Sequence, residues 1–120
     1  MSEVMTFLRM RIAKAQAAGI ARERIVIDPG FGFGKTLAHN LQLLAGLEAV
    51  AALGFPLLVG LSRKSMIGKL LGLDVDERLG ASIALAVLAV ERGATLVRAH
   101  DVAPTWQALQ MSAVLRSVQQ

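Results

Sequence analysis

Apolar residues at Val4, Leu8, Ile12 and Ala15 recur at three- and four-residue intervals. That is the spacing of one helical face, so the chain opens on an amphipathic helix, which Gly19 stops and on whose last turn Ile20 is placed to pack. The pattern changes at Ile25-Val26-Ile27, a β-branched run that is apolar at every position. It predicts a strand near 25–28, buried on both faces and ended at once by Pro29 and Gly30. Leu43, Leu44, Leu47, Val50 and Ala51 then share one stripe, giving a helix that starts between Leu37 and Leu41 and stops before Gly54 and Pro56. Leu57-Leu58-Val59 opens a second strand, near 57–61. A short helical piece around Met66–Leu71 leads through Gly72 and Asp74 to Asp76, the expected N-cap of a long helix running to about Arg92 and stopped by Gly93. Leu79, Ile83, Leu85, Val87, Leu88 and Val90 leave that helix almost no polar face. One side is expected on the sheet and the other against another subunit. Thr95-Leu96-Val97 opens a third strand, near 95–99, and Pro104 opens a last helix through Leu109 and Leu115.

The predicted order is α-β-α-β-(α)α-β-α, with strand starts near 25, 57 and 95. Antiparallel hairpins would need turns of two to five residues between strands, and the pattern holds none. Spacings of 32 and 38 residues match the roughly 31 residues that each unit of a (β/α)₈ barrel occupies. The fold class is therefore α/β with three parallel strands, in one domain over residues 1–120. Three strands do not close a barrel.

Composition narrows the function. Hydrophobic residues make up 54% of the 120, enough for a core, while charged residues are only 18%. So sparse a charge suggests that some apolar surface meets a partner or a further part of the chain. The net charge of +4 is scattered, aromatic residues are 4% and Tyr is absent, which argues against a nucleic-acid surface. With no Cys there is neither a disulfide nor a thiolate metal site, in keeping with a cytoplasmic protein. Arg9, Arg11 and Lys14 interrupt what would have to be an unbroken signal sequence. The uncharged runs Ala49–Ser62 and Leu79–Val90 include no span of the roughly 20 apolar residues that a bilayer needs, so a soluble protein without membrane contact is expected.

In parallel α/β proteins the residues just past the strand C-termini share one side, and that side hosts the ligand. Here they are Asp28-Pro29-Gly30, Ser62-Arg63-Lys64-Ser65 and Arg98-Ala99-His100-Asp101. The first cluster continues as a glycine-rich loop to Thr36. Pro29 stands where a phosphate-binding P-loop needs its first glycine, and Lys35 breaks a dinucleotide fingerprint. The loop instead lifts two rings: Phe31 is expected in the core and Phe33 against a ligand. Arg98 and His100, two apart on a strand, point to the same side. Arg63, Lys64, Arg98 and His100 across from Asp28 suit an anionic, diphosphate-like group at one end of a substrate and a hydrogen-bonding ring at the other. With His39 the one other histidine, no protein-built metal site is expected. A magnesium ion carried in by a diphosphate is compatible.

Ile27-Asp-Pro-Gly-Phe-Gly-Phe-Gly-Lys35, Leu61-Ser-Arg-Lys-Ser65, Glu77-Arg-Leu-Gly-Ala-Ser82 and Arg98-Ala-His-Asp-Val102 together resemble the dihydropteroate synthase family, in its order and at its spacing. The resemblance covers essentially the whole chain, as the C-terminal part of a (β/α)₈ barrel. It implies a transferase of folate biosynthesis, condensing 4-aminobenzoate with 6-hydroxymethyl-7,8-dihydropterin diphosphate. By motif, Asp28 would hydrogen-bond the pterin, and Lys64 would contact it beside the aminobenzoate site. Ser62 would lie near the aminobenzoate carboxylate, with Phe33 and the aliphatic part of Arg63 as walls. Arg98 and His100 would hold the diphosphate. Lys64, Arg98 and His100 are the residues expected to carry the reaction. The resemblance also implies Mg2+ with the diphosphate, a protein ligand for it in a preceding part of the barrel, and dimerisation through C-terminal helices. With the family's first five strands outside this sequence, the chain alone is expected to be weakly active or inactive. Its partners would then be a second copy or an N-terminal half. The alternatives are a non-catalytic pterin- or diphosphate-binding fragment and a half-barrel interaction piece. A related pterin-dependent methyltransferase barrel is the enzymatic runner-up.

Overall fold

The computed structural model describes residues 1–119. Six α-helices surround a small parallel sheet: α1 Ser2–Ala17, α2 Leu37–Ala45, α3 Leu47–Ala51, β1 Leu58–Val59, α4 Ser65–Leu71, α5 Leu79–Glu91, β2 Leu96–Val97 and α6 Val102–Val118. Helix α1 places Leu8 in the core, with Val4, Met5, Ile12 and Ala15 packed beside it. Gly19 ends it in a left-handed turn at φ 95°. There the amide of Ile20 reaches back to the Ala15 carbonyl at 3.1 Å, while the Ile20 side chain stays exposed.

Three chain segments run parallel, but only two form a ladder. β1 and β2 pair in the register Leu58–Leu96 and Val59–Val97. The segment expected as a strand near 25–28 contributes a single bridge, Ile27 to Leu57. Its hydrogen bonds run from Ile27 N to Pro56 O (2.9 Å) and from Leu58 N to Ile27 O (2.8 Å). The reason is local: Asp28 turns the backbone by accepting the Gly30 amide at 2.8 Å, and Pro29 has no amide to extend a ladder. The other two strands are also shorter than the expected 57–61 and 95–99. Burial on both faces is not reached: in the middle segment Leu57 and Val59 are buried on one face while Leu58 on the other is half-buried, and at the edges Val26 is 49% and Leu96 44% exposed.

Two further expectations are corrected. The helix after the glycine-rich loop breaks at Gly46 into α2 and α3. Asp76 does not cap the long helix. Asp74 opens a 3₁₀ turn at Val75–Glu77 instead, with the Glu77 carboxylate accepting its amide at 3.1 Å, and α5 enters from Arg78. Helix α5 packs against α6, while its residues Leu79 and Leu88 stay exposed. Exposed apolar residues also run along α6, among them Met111, Val114, Leu115 and Val118. Leu43, Leu47, Val50, Leu57 and Val59 fill the centre, together with Phe31, as the loop reading required. None of the described helices is long and apolar enough to cross a membrane.

Candidate functional site

The three parallel segments end on one side, and there Asp28, Phe33, Ser62, Arg63, Lys64, Arg98 and His100 line one cleft of about 720 Å³. All seven residues singled out from the sequence are brought together.

Asp28 follows the bridge residue Ile27 and faces Arg98, carboxylate to guanidinium, at 3.6 Å. Beyond it the loop runs through three glycines with positive φ, Gly30, Gly32 and Gly34. This geometry is open to glycine and strained for other residues. It tucks Phe31 inward and leaves Phe33 67% exposed, with the Lys64 ammonium 4.5 Å from its ring centroid. Lys35 turns away from the cleft, donating to the carbonyls of Gly30 (2.8 Å) and Phe33 (3.2 Å). The buried Asn40 on α2 accepts the Gly32 amide at 2.9 Å. Asn40 is a support the sequence reading missed. A polar residue within the apolar stretch of α2 was its one available signal.

At the end of β1 the chain makes a tight turn. Arg63 adopts φ 56°, the one non-glycine residue with positive φ among those described. Such a conformation costs an L-residue roughly 1–2 kcal/mol. Two hydrogen bonds from the head of α5 hold it: the Arg63 amide donates to Ser82 Oγ at 2.9 Å, and the Arg63 carbonyl accepts Arg78 Nη1 at 3.0 Å. At about 0.5–1.5 kcal/mol each, these roughly offset the strain. The Arg63 guanidinium meets both carboxylate oxygens of Asp101, at 3.0 and 3.1 Å, tying the turn to the start of α6.

At the end of β2, Arg98 lies over Gly60, whose missing side chain leaves its space to the guanidinium. Ser62 Oγ sits 2.8 Å from His100 Nδ1 and accepts the His100 amide at 3.2 Å. The serine expected at one subsite is thus bonded to the histidine expected at the other. In the tautomer whose Nδ1 accepts the hydroxyl proton, the imidazole presents Nε2–H as a donor. Four basic side chains, one carboxylate and one exposed ring around an open cleft can bind a multiply charged anion beside a flat, hydrogen-bonding group. Asp28 is the one carboxylate lining the cleft and is already committed to Gly30 and Arg98, so the cleft has no carboxylate cage for a divalent cation. The acidic cluster Asp74, Asp76 and Glu77 is exposed and is not part of the cleft lining.

The chain is similar to known proteins along most of its length. Residues 1–100 match the family described as "Pterin binding enzyme". Dihydropteroate synthase of Escherichia coli (strain K12) is 49% identical over 110 residues, which are 92% of this chain and 39% of that protein. The chain therefore spans about two-fifths of the length of the curated relatives it matches. The crystal structure of Yersinia pestis dihydropteroate synthase superposes with a TM-score of 0.94 at 46% identity, over 97% of this chain and 55% of that one. Xanthomonas albilineans dihydropteroate synthase, solved with 4-aminobenzoic acid, gives 0.89 at 49% identity, over 98% and 42%.

Proposed function

The chain belongs to the pterin-binding enzyme family, and on that premise we propose that its cleft is one wall of a dihydropteroate synthase site, joining 4-aminobenzoate to 6-hydroxymethyl-7,8-dihydropterin diphosphate. The observation that carries this is the convergence of three strand ends: a carboxylate, four basic groups and a ring gather in one cleft, as that pair of substrates requires.

Arg98 and the Nε2–H of His100 bind the diphosphate. Asp28 accepts from the pterin ring, and Lys64 donates to it from above Phe33. As the bond between the pterin methylene and the diphosphate oxygen breaks, the leaving group takes the electron pair. Its growing charge falls on cations already in place, which is where fixed donors lower the barrier. The aminobenzoate amine supplies the pair for the new C–N bond and loses one proton to solvent or to the departing diphosphate. Phe33 and the methylenes of Arg63 flank the aminobenzoate, and Ser62 lies near its carboxylate. The X. albilineans structure with 4-aminobenzoic acid supports an aminobenzoate subsite. Magnesium would arrive with the diphosphate, its protein ligand expected in a preceding part of the barrel, and would neutralise part of the leaving group's charge. We place the protein in the cytoplasm, with a second copy of itself or an N-terminal half-barrel as its protein partner.

The test is a calorimetric titration of the chain with a dihydropterin diphosphate analogue in magnesium buffer. Arg98→Ala is expected to weaken binding more than tenfold, about 1.4 kcal/mol. Equal affinity for both proteins would remove Arg98 from the site. Because these residues form one wall, the chain alone is expected to give little or no dihydropteroate. Turnover by highly purified chain that disappears in Lys64→Ala would overturn that expectation.

A further inference from the structure

In an extended strand, successive side chains point to opposite faces. Ser62, Arg63 and Lys64 are consecutive, yet all three line the same cleft. The chain achieves this by reversing at Arg63, whose backbone lies in the left-handed region. An arginine has no preference for that region, so something outside the loop holds it there. We propose that Arg78 and Ser82, at the head of α5, are positioning residues that lock the Arg63 backbone in this turn and so aim Ser62 and Lys64 into the cleft.

The two contacts converge on the two polar groups of one residue. Ser82 is buried and its hydroxyl bonds in both directions, accepting the Arg63 amide while donating to the Arg78 carbonyl. Arg78 spans two loops, with Nε on the Leu73 carbonyl and Nη1 on the Arg63 carbonyl. Gly68 on α4 makes room for it, because a methyl group there would collide with the Arg78 guanidinium. Neither Arg78 nor Ser82 lines the cleft, so both act through the backbone of another residue. The clamp stands on geometry alone. Its consequence for ligand binding rests on the function proposed above.

The experiment is NMR spectroscopy of the 120-residue chain, wild type beside Ser82→Ala, Gly68→Ala and the conservative Ser82→Thr. Two signals are read: protection of the Arg63 amide from hydrogen exchange, and the ring-current displacement of the Lys64 methylene protons by Phe33. Ser82→Ala and Gly68→Ala are expected to speed Arg63 exchange at least tenfold and to abolish the Lys64 displacement. Core amides such as Val50 and Val59 should keep their protection. Ser82→Thr should retain both signals. Gly68→Ala alters no cleft residue and no clamp residue, so it carries the test if Ser82→Ala unfolds the chain. Faster Arg63 exchange with Lys64 still against Phe33 would reduce the pair to a structural role, and unchanged Arg63 exchange would overturn the clamp. A parallel titration with inorganic diphosphate separates the two readings. Failure of the wild-type chain to bind removes the anion site and leaves the clamp to be judged by its two signals. A tenfold loss in Gly68→Ala extends the clamp to ligand binding.

Discussion

Arg98 reaches the cleft because Gly60, buried at the end of β1, has no side chain to stand in its way. A Cβ at position 60 would meet the guanidinium, the far end of a long and exposed side chain that can swing aside. Gly60→Ala is therefore expected to leave stability within about 0.5 kcal/mol of wild type, as surface adjustments do. It should nonetheless weaken diphosphate binding by about tenfold, since an Arg removed from its anion loses a charge-assisted contact. Thermal unfolding and calorimetry on the same sample check the two halves. Equal losses of stability and affinity would mean that Gly60 serves packing alone. The Ser62–His100 bond belongs to the same scale: one hydroxyl links the two proposed subsites, which no spacing in the sequence discloses. Residue identities announced which side chains converge, but the partner each one keeps depends on turns built far away in the chain.

Helices in this fold are stopped by glycines, and Gly93 is the strictest of them. It ends α5 at φ 109°, and a Cβ there would come within 2.6 Å of the Ala51 Cβ on α3. Gly93→Ala meets an unfavourable backbone conformation and a clash between two rigidly held groups, so a loss of at least about 2 kcal/mol is expected. The urea midpoint of Gly93→Ala, with an unchanged slope, measures it. Such stops were legible from the sequence, as were the apolar stripes between them, because backbone geometry and periodicity are local properties. The strand near 25–28 was not. Its apolar pattern is that of a strand, yet Asp28 and Pro29 divert the backbone after one bridge, and an edge segment has a single neighbour to pair with. The cap of α5 was misread for a related reason. Asp74 and Asp76 are both cap-forming residues, and only the 3₁₀ turn at Val75–Glu77, which takes Asp76 inside it, decides that the helix waits until Leu79. Asn40, Arg78 and Ser82 were legible as polar residues but not as supports, since their partners lie across the fold.

At the scale of the whole molecule, two of the open surfaces bear most directly on association. The parallel segments expose backbone edges at Ile27 on one side and at β2 on the other, and such edges invite pairing with another strand. Separately, Met111, Val114, Leu115 and Val118 form a stripe along the outer face of α6, all exposed and at helical spacing. Apolar area of this kind is costly to leave in water and marks a contact surface. The two surfaces predict different chemistry. Association through the stripe is a helix-to-helix contact, ended by charge, whereas association through the edges uses main-chain hydrogen bonds that side-chain charge on α6 does not touch. The chain is 12.7 kDa, and it is expected to sediment as a heavier species at micromolar concentration. The double substitution Met111→Lys with Leu115→Lys should return it to the monomer while leaving its helical circular dichroism intact, because neither residue is buried. Association that survives this substitution, with the helices intact, would take the contact off the α6 stripe and point to the sheet edges. The partner would then be a chain able to continue the parallel sheet, as an N-terminal half-barrel would be.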